Sequence, residues 1–209
     1  MLAGHGYYRE KYSKADRYSG VSAKELDDIC SHLKYALDNG CFGISFGLEY
    51  IPGTTKEELI RCASLAKGKM ISAHIRSCGI NAKTAIEEIA QISKKTGISA
   101  QISHIGSMAG YGQMKEALTL IDKYRKDGVN ISCDCYPYLA YCTSIGSAVY
   151  DDGWKELMFC DYSDIEMCEG EYKGKRCTKE IFDFERKNVP ITMRSIPIIS
   201  YRFGYSFNK

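Results

Sequence analysis

A strand-like run followed by a helix-like run recurs about every 30 residues as far as residue 136, and this rhythm constrains the fold more than any other feature. The runs with strand character are 41–47 (CFGISFG), 70–75 (MISAHI), 99–105 (SAQISHI) and 130–136 (NISCDCY). Between and before them the spacing predicts helices. One runs over 22–39, opening on Ser22-x-x-Glu25, carrying Leu26, Ile29, Leu33, Ala36 and Leu37 on one face, and stopping at Asn39-Gly40. Another, over 55–66, opens on Thr55-x-x-Glu58 and carries Leu59, Ile60 and Ala63. Two more place Ala85, Ile86, Ile89 and Ala90, and then Met114, Ala117, Leu118, Ile121 and Tyr124, on one side each. Strict alternation of strand and helix requires parallel strands, because a parallel pair needs a crossover connection. An open doubly wound sheet and a (β/α)₈ barrel both satisfy it. No glycine-rich phosphate loop follows any of the strands, and Gly4-His5-Gly6 precedes no clear helix, which favours the barrel.

Two of the strand runs end in histidine, His74 and His104, one β/α unit apart. Neighbouring parallel strands lie about 4.8 Å apart, so two imidazoles at matching ends can reach one metal ion through Zn–N bonds of about 2.0–2.1 Å. Taken singly, either histidine reads more simply as a hydrogen-bonded core or loop residue. Their matched placement favours the metal. Glu49, Tyr50, Asp134, Tyr136 and Tyr138 fall at equivalent strand ends, although tyrosine there more often packs than acts. Arg76 lies two residues past His74 and on the same side of an extended strand. It suits an anionic substrate group or, equally, a structural ion pair. His32 sits on the polar side of its helix.

The totals exclude several function classes. A formal net charge of +2 argues against nucleic acid as a partner, and no run approaches the ~20 apolar residues of a membrane span. The first residues, MLAGHGYYREKYSK, lack the apolar core of a secretory signal. The ten cysteines include no CxxC pair, so they read as reduced thiols, mostly small apolar fillers, of a cytoplasmic protein. After Thr143 the rhythm stops. Residues 144–189 read as an inserted cap segment with one helix, over 178–187, above the mouth of the barrel portion, 1–143. The stretch 190–209 has no readable pattern.

The ordered set GHGYYR (4–9), GISFGLEYIPG (43–53), AHIRS (73–77), ISHIG (102–106) and DCYPYLAYCT (134–143) resembles the N-acyl-D-amino-acid deacylases, or D-aminoacylases, of the amidohydrolase superfamily. The likeness runs from about residue 2 to about 189 and includes GEYKGKRCTKEIFDFERKN (170–188). The resemblance implies a TIM-type (β/α)₈ barrel of the metal-dependent hydrolase type. It implies that His74 and His104 bind a catalytic zinc from the fifth and sixth strands, and that Tyr136, with Tyr50 and Arg76, lies at the substrate. The reaction would be zinc-dependent hydrolysis of an N-acyl-D-amino acid, a small molecule, to a carboxylate and a D-amino acid. Ile105-Gly106, Cys78 and Cys142 stand where the family usually has lysine, an acid and serine. The family's first-strand metal motif, an upstream cysteine ligand and the catalytic aspartate of the eighth strand have no counterpart here. With about four β/α units where a closed barrel needs eight, a partial barrel is expected, and the chain is expected to be a fragment. A catalytically inactive remnant serving in binding or assembly is one alternative. A cyclic-amide hydrolase of the dihydroorotase type is another, against which the GLEY and YPY motifs argue.

Overall fold

The computed structural model describes residues 1–110, 112–188 and 197–201. The chain divides into two compact units, Met1–Cys135 and Tyr136–Lys209. In the first, β1 (Ala3–Gly4) leads into α1 (His5–Tyr12) and α2 (Ala23–Asp38). Next come β2 (Gly43–Gly47), α3 (Lys56–Ser64), β3 (Met70–His74) and α4 (Ala82–Thr96). The unit closes with β4 (Ser99–Ile102), α5 (Ile105–Ala109), α6 (Met114–Lys126) and β5 (Ile131–Cys133). The five strands form one parallel sheet in chain order. Successive helices touch one another, α1 on α2, α2 on α3, α3 on α4 and α4 on α6. That is the wall of a barrel; a doubly wound sheet would send its helices to opposite faces. The barrel is not closed.

The core lies between this sheet and its helices. Along β3, Ile71 and Ala73 are fully buried while Met70, Ser72 and His74 are half-buried, so alternation turns the histidine away from the helical layer. Ile29 and Leu33 of α2, Leu59 and Ala63 of α3, and Ile86, Ile89 and Ala90 of α4 are fully buried. The anticipated helices therefore bury most of the faces their spacing selects, but Leu118 of α6 is exposed and Ala36 and Ile60 are half-buried. Ser22 and Glu25 form the expected reciprocal cap on α2. On α3 only half of the expected box forms. The Thr55 hydroxyl accepts from Glu58 N at 3.1 Å, but the Glu58 carboxylate turns inward to His5 and Arg9. In GLEY-x-PG, Gly53 N donates to Arg17 O at 2.8 Å. A Cβ on Gly53 would run into the backbone of Tyr18 and Ser19, so the motif's glycine admits a crossing chain.

Three expectations need correction. A helix, α1, does follow Gly4-His5-Gly6. It has no apolar stripe to announce it and is anchored instead by two buried polar residues, His5 and Arg9, on Glu58. The strands are shorter than the runs: β3 stops at His74, β4 at Ile102 and β5 at Cys133. The cysteines are mostly not fillers, since only Cys62, Cys78 and Cys177 are buried.

The second unit contains β6 (Ala140–Ser144), α7 (Trp154–Met158), β7 (Ile165–Met167), α8 (Lys179–Asn188) and β8 (Pro197–Tyr201). Its three strands form an antiparallel sheet in the order β6-β8-β7. Trp154 stacks on Phe182 at 5.4 Å between centroids, and Tyr150 meets both edge-on. The Arg186 guanidinium donates to Ile145 O, Ser147 O and Asp151. Helix α8 matches the expected 178–187 to within a residue. Part of the stretch expected to be patternless, 197–201, is a strand; residues 190–196 and 202–209 lie outside the described residues. No described helix is long and apolar enough to cross a membrane.

Candidate metal centre

His74 is the last residue of β3, in register with Gly47 of β2. His104 reaches the same end of the sheet by a different route. It stands two residues beyond β4, in the left-handed region at φ 40° and ψ 51°, where few residues other than glycine are found. Asp134, just past β5, holds it there. The Asp134 carboxylate accepts from His104 N and from the Gln101 side chain. The Asp134 carbonyl accepts from Ile105 N at 2.8 Å, while Asp134 N donates to Ile102 O at 3.1 Å. Three strands thus cooperate to fold back one histidine, and Ser103 N donating to Ala73 O at 2.9 Å ties the turn to β3.

The two imidazoles meet, His74 Nδ1 lying 2.7 Å from His104 Nε2. On the other side His74 Nε2 is 2.8 Å from Glu49 Oε2. With Glu49 accepting at Nε2, the neutral form of His74 leaves its lone pair at Nδ1, facing His104 Nε2. Glu49 is 7% exposed, and its other oxygen accepts from Cys78 N at 3.1 Å. Burial first, then the neighbouring His74, pushes the His104 pKa down to about 4, with Asp134 opposing. His104 is therefore neutral at ordinary pH, as a metal ligand must be. The Tyr50 ring lies 4.6 Å from that of His74 and walls one side of the pair.

This constellation coincides with likeness to known proteins. No family model matches the chain. The N-acyl-D-glutamate deacylase of Alcaligenes xylosoxydans xylosoxydans is 34% identical over 144 residues, covering 66% of this chain and 29% of that protein. The D-aminoacylase of the same organism is 34% identical over 152 residues, covering 69% of this chain and 31% of that protein. Over that stretch the chain is similar to two N-acyl-D-amino-acid deacylases. It spans under a third of the length of these two relatives. The crystal structure of N-acyl-D-glutamate deacylase from Bordetella bronchiseptica, complexed with zinc and a phosphonate mimic of the tetrahedral intermediate, matches with a TM-score of 0.75 at 24% identity. That match covers 96% of this chain and 43% of the other. A D-aminoacylase structure concerned with a binuclear metal centre matches with a TM-score of 0.76 at 23% identity, over 96% and 42% of the two chains. These structural likenesses establish the fold, a partial TIM-type barrel.

Against this deacylase background, the fit of a metal can be tested on the side chains. Two tetrahedral zinc ligands at 2.0–2.1 Å stand about 3.3 Å apart, so the 2.7 Å pair needs to open by only about 0.6 Å. The carboxylate behind His74 matches the usual orienting partner of a zinc-bound histidine. The pair fits two positions of a zinc site. Among the described residues no group of three or more His, Cys, Asp or Glu side chains is arranged to hold a metal ion.

Arg76 does not follow His74 to the same side, because β3 has ended and alternation no longer applies. Its guanidinium forms a forked pair with Glu88 of α4, Nε to Oε2 at 2.9 Å and NH2 to Oε1 at 2.9 Å, and donates to Pro52 O. This geometry favours the ion-pair reading. Tyr136 opens the second unit, 6.1 Å from the Tyr138 ring. His5, also at a strand end, is turned into the helical layer and bonded to Glu58 at 2.9 Å. His32 stacks on Tyr12 at the surface. The residues whose roles sequence reasoning missed are Glu49 and Asp134. Both were visible as acids at equivalent strand ends; nothing local said which histidine each would hold.

Proposed function

We propose that this chain provides the His74–His104 part of a zinc site in an enzyme that hydrolyses the amide bond of N-acyl-D-amino acids to a carboxylate and a D-amino acid. The observation that carries the reading is the convergence of His74 Nδ1 and His104 Nε2 at 2.7 Å at the strand ends where barrel enzymes keep their chemistry. The names and contents of the relatives support zinc and this substrate class. When bound, zinc supplies a Lewis acid for the amide carbonyl and a water of lowered pKa. The chain's own residues do the positioning. Glu49 keeps the His74 lone pair pointed at the site, and Asp134 keeps His104 folded back to face it. Tyr50 offers an aromatic wall beside His74, and Tyr136, by family likeness, lies at the substrate.

A graft tests this function. Residues 2–143 would replace the matching segment of the Alcaligenes N-acyl-D-glutamate deacylase, and the purified chimera would be assayed with zinc on N-acetyl-D-amino acids. The expected result is release of free D-amino acid that disappears in His74→Ala and in His104→Ala. A chimera that folds and binds zinc yet releases no amine would sink the reading.

A further inference from the structure

On the outer helical layer two thiols face each other. Cys30 of α2 and Cys62 of α3 have their sulfurs 3.9 Å apart, on helices that pack together. Their environments differ: Cys30 is half-buried and Cys62 is fully buried. Next in the chain to Cys62, Arg61 is held at 2.6 Å by Asp27, so an ion pair stands beside the two thiols.

We propose that Cys30 and Cys62 form a reversible dithiol–disulfide site that joins α2 to α3, with Cys30 as the attacking thiol and Cys62 as the resolving one. Bonding needs the sulfurs to close from 3.9 Å to about 2.05 Å, a shift of the size that side-chain rotation supplies. The hydrogen bond from Cys62 holds the Cys30 thiol below its usual range, with burial, Asp27 and Glu58 acting against it and Arg61 with it. The same contact, followed by burial, pushes the Cys62 thiol up. The accessible sulfur is thus the better thiolate, and the thiolate is the nucleophile. The oxidant is a low-molecular-weight disulfide. The Cys30 thiolate attacks one of its sulfurs, forming a mixed disulfide and expelling one thiol. Cys62 then attacks Cys30 Sγ and expels the second thiol, the two protein protons ending on the two leaving groups. Two electrons pass from the protein to the oxidant.

The test uses the full chain, reduced, freed of reductant and exposed to oxidised glutathione. Remaining thiols are then blocked with N-ethylmaleimide and the digest is read by mass spectrometry. The expected product is a peptide pair linked through Cys30 and Cys62, which dithiothreitol restores to two free thiols. Exposed Cys135 and Cys142 report that the oxidant has acted. In Cys62→Ser the reaction should halt with glutathione on Cys30; in Cys30→Ser, at the half-buried position, Cys62 should stay unmodified. Both thiols blocked as free thiols after Cys135 and Cys142 have reacted would overturn the proposal. So would a glutathione adduct on Cys30 that persists in the unsubstituted chain.

Discussion

Glu49 shows how much one buried carboxylate can decide. Its bond to His74 Nε2 at 2.8 Å selects the tautomer that leaves Nδ1 open. Outer-shell partners of this kind are worth about 10–100-fold in metal affinity. Glu49→Ala should therefore weaken zinc binding by that factor in a competition titration against a chromophoric chelator. Glu49→Gln, whose amide oxygen still accepts, should stay within a few-fold. Unchanged affinity in Glu49→Ala would remove the carboxylate from the site's design. Glu58 plays a different part. Burial pushes its carboxyl up, but the hydrogen bond and charge of His5, with those of Arg9, outweigh burial and leave its pKa below the usual 4.5. A depressed carboxylate pKa stabilises the fold above the unfolded value, and that stability is lost as pH falls through the folded value. Thermal melting temperature should therefore drop as pH is lowered below about 4.5, and the drop should be shallower in Glu58→Gln. Equal slopes in the two proteins would remove Glu58 as a source of acid sensitivity. Glu58→Ala, which strands the buried Arg9, should cost about 3–5 kcal/mol in urea unfolding.

At the scale of elements, the exit from β3 is pinned to α4 by the forked Arg76–Glu88 pair. Both side chains are about a quarter exposed, so solvent weakens a bond that would be stronger in the core. Arg76→Ala should cost about 1–2 kcal/mol in denaturant unfolding, and the double variant with Glu88→Ala should cost no more than either alone. Strictly additive costs would mean that the pair does not act as a unit and would return Arg76 to the list of substrate-facing residues. Element identity was largely legible. The helices over 22–39 and 55–66, and the one carrying Met114 to Tyr124, have apolar residues at three- and four-residue spacing, and each forms close to where that spacing puts it. Helix α1 was not legible because buried polar contacts anchor it. Strands β6, β7 and β8 were missed for another reason: their pairing, such as Cys142 with Ile199, joins residues far apart in sequence, and segments this short carry little pattern of their own.

At the scale of the molecule, the first unit is a run of barrel wall whose sheet begins at β1 and ends at β5. Catalytic zinc sites hold the metal with three protein ligands and a water, whereas the described side chains bring together two histidines. The 209-residue chain with added zinc should therefore bind the metal weakly and release no detectable amine from a panel of N-acetyl-D-amino acids. Robust turnover abolished by His74→Ala would show that the chain supplies the rest of the ligand set itself.

The local physics of the sequence was enough to determine a parallel β/α wall with two histidines at neighbouring strand ends. Side-chain alternation, helical periodicity and caps act within a few residues, and a one-unit offset between His74 and His104 survives any small error in strand boundaries. Tertiary structure alone decided which atoms meet. His104 faces His74 because Asp134, on a third strand, stabilises a left-handed turn that no pattern around residue 104 requires. Glu49, in the turn after β2, reaches His74 of β3, and Glu58 of α3 reaches His5 of α1, since a buried charge takes whichever partner packing brings within hydrogen-bond reach. Arg76 turned to α4 because its strand had already ended. Periodicity fixes the face a residue presents only while the ladder lasts; past the strand end, long-range hydrogen bonds choose the direction.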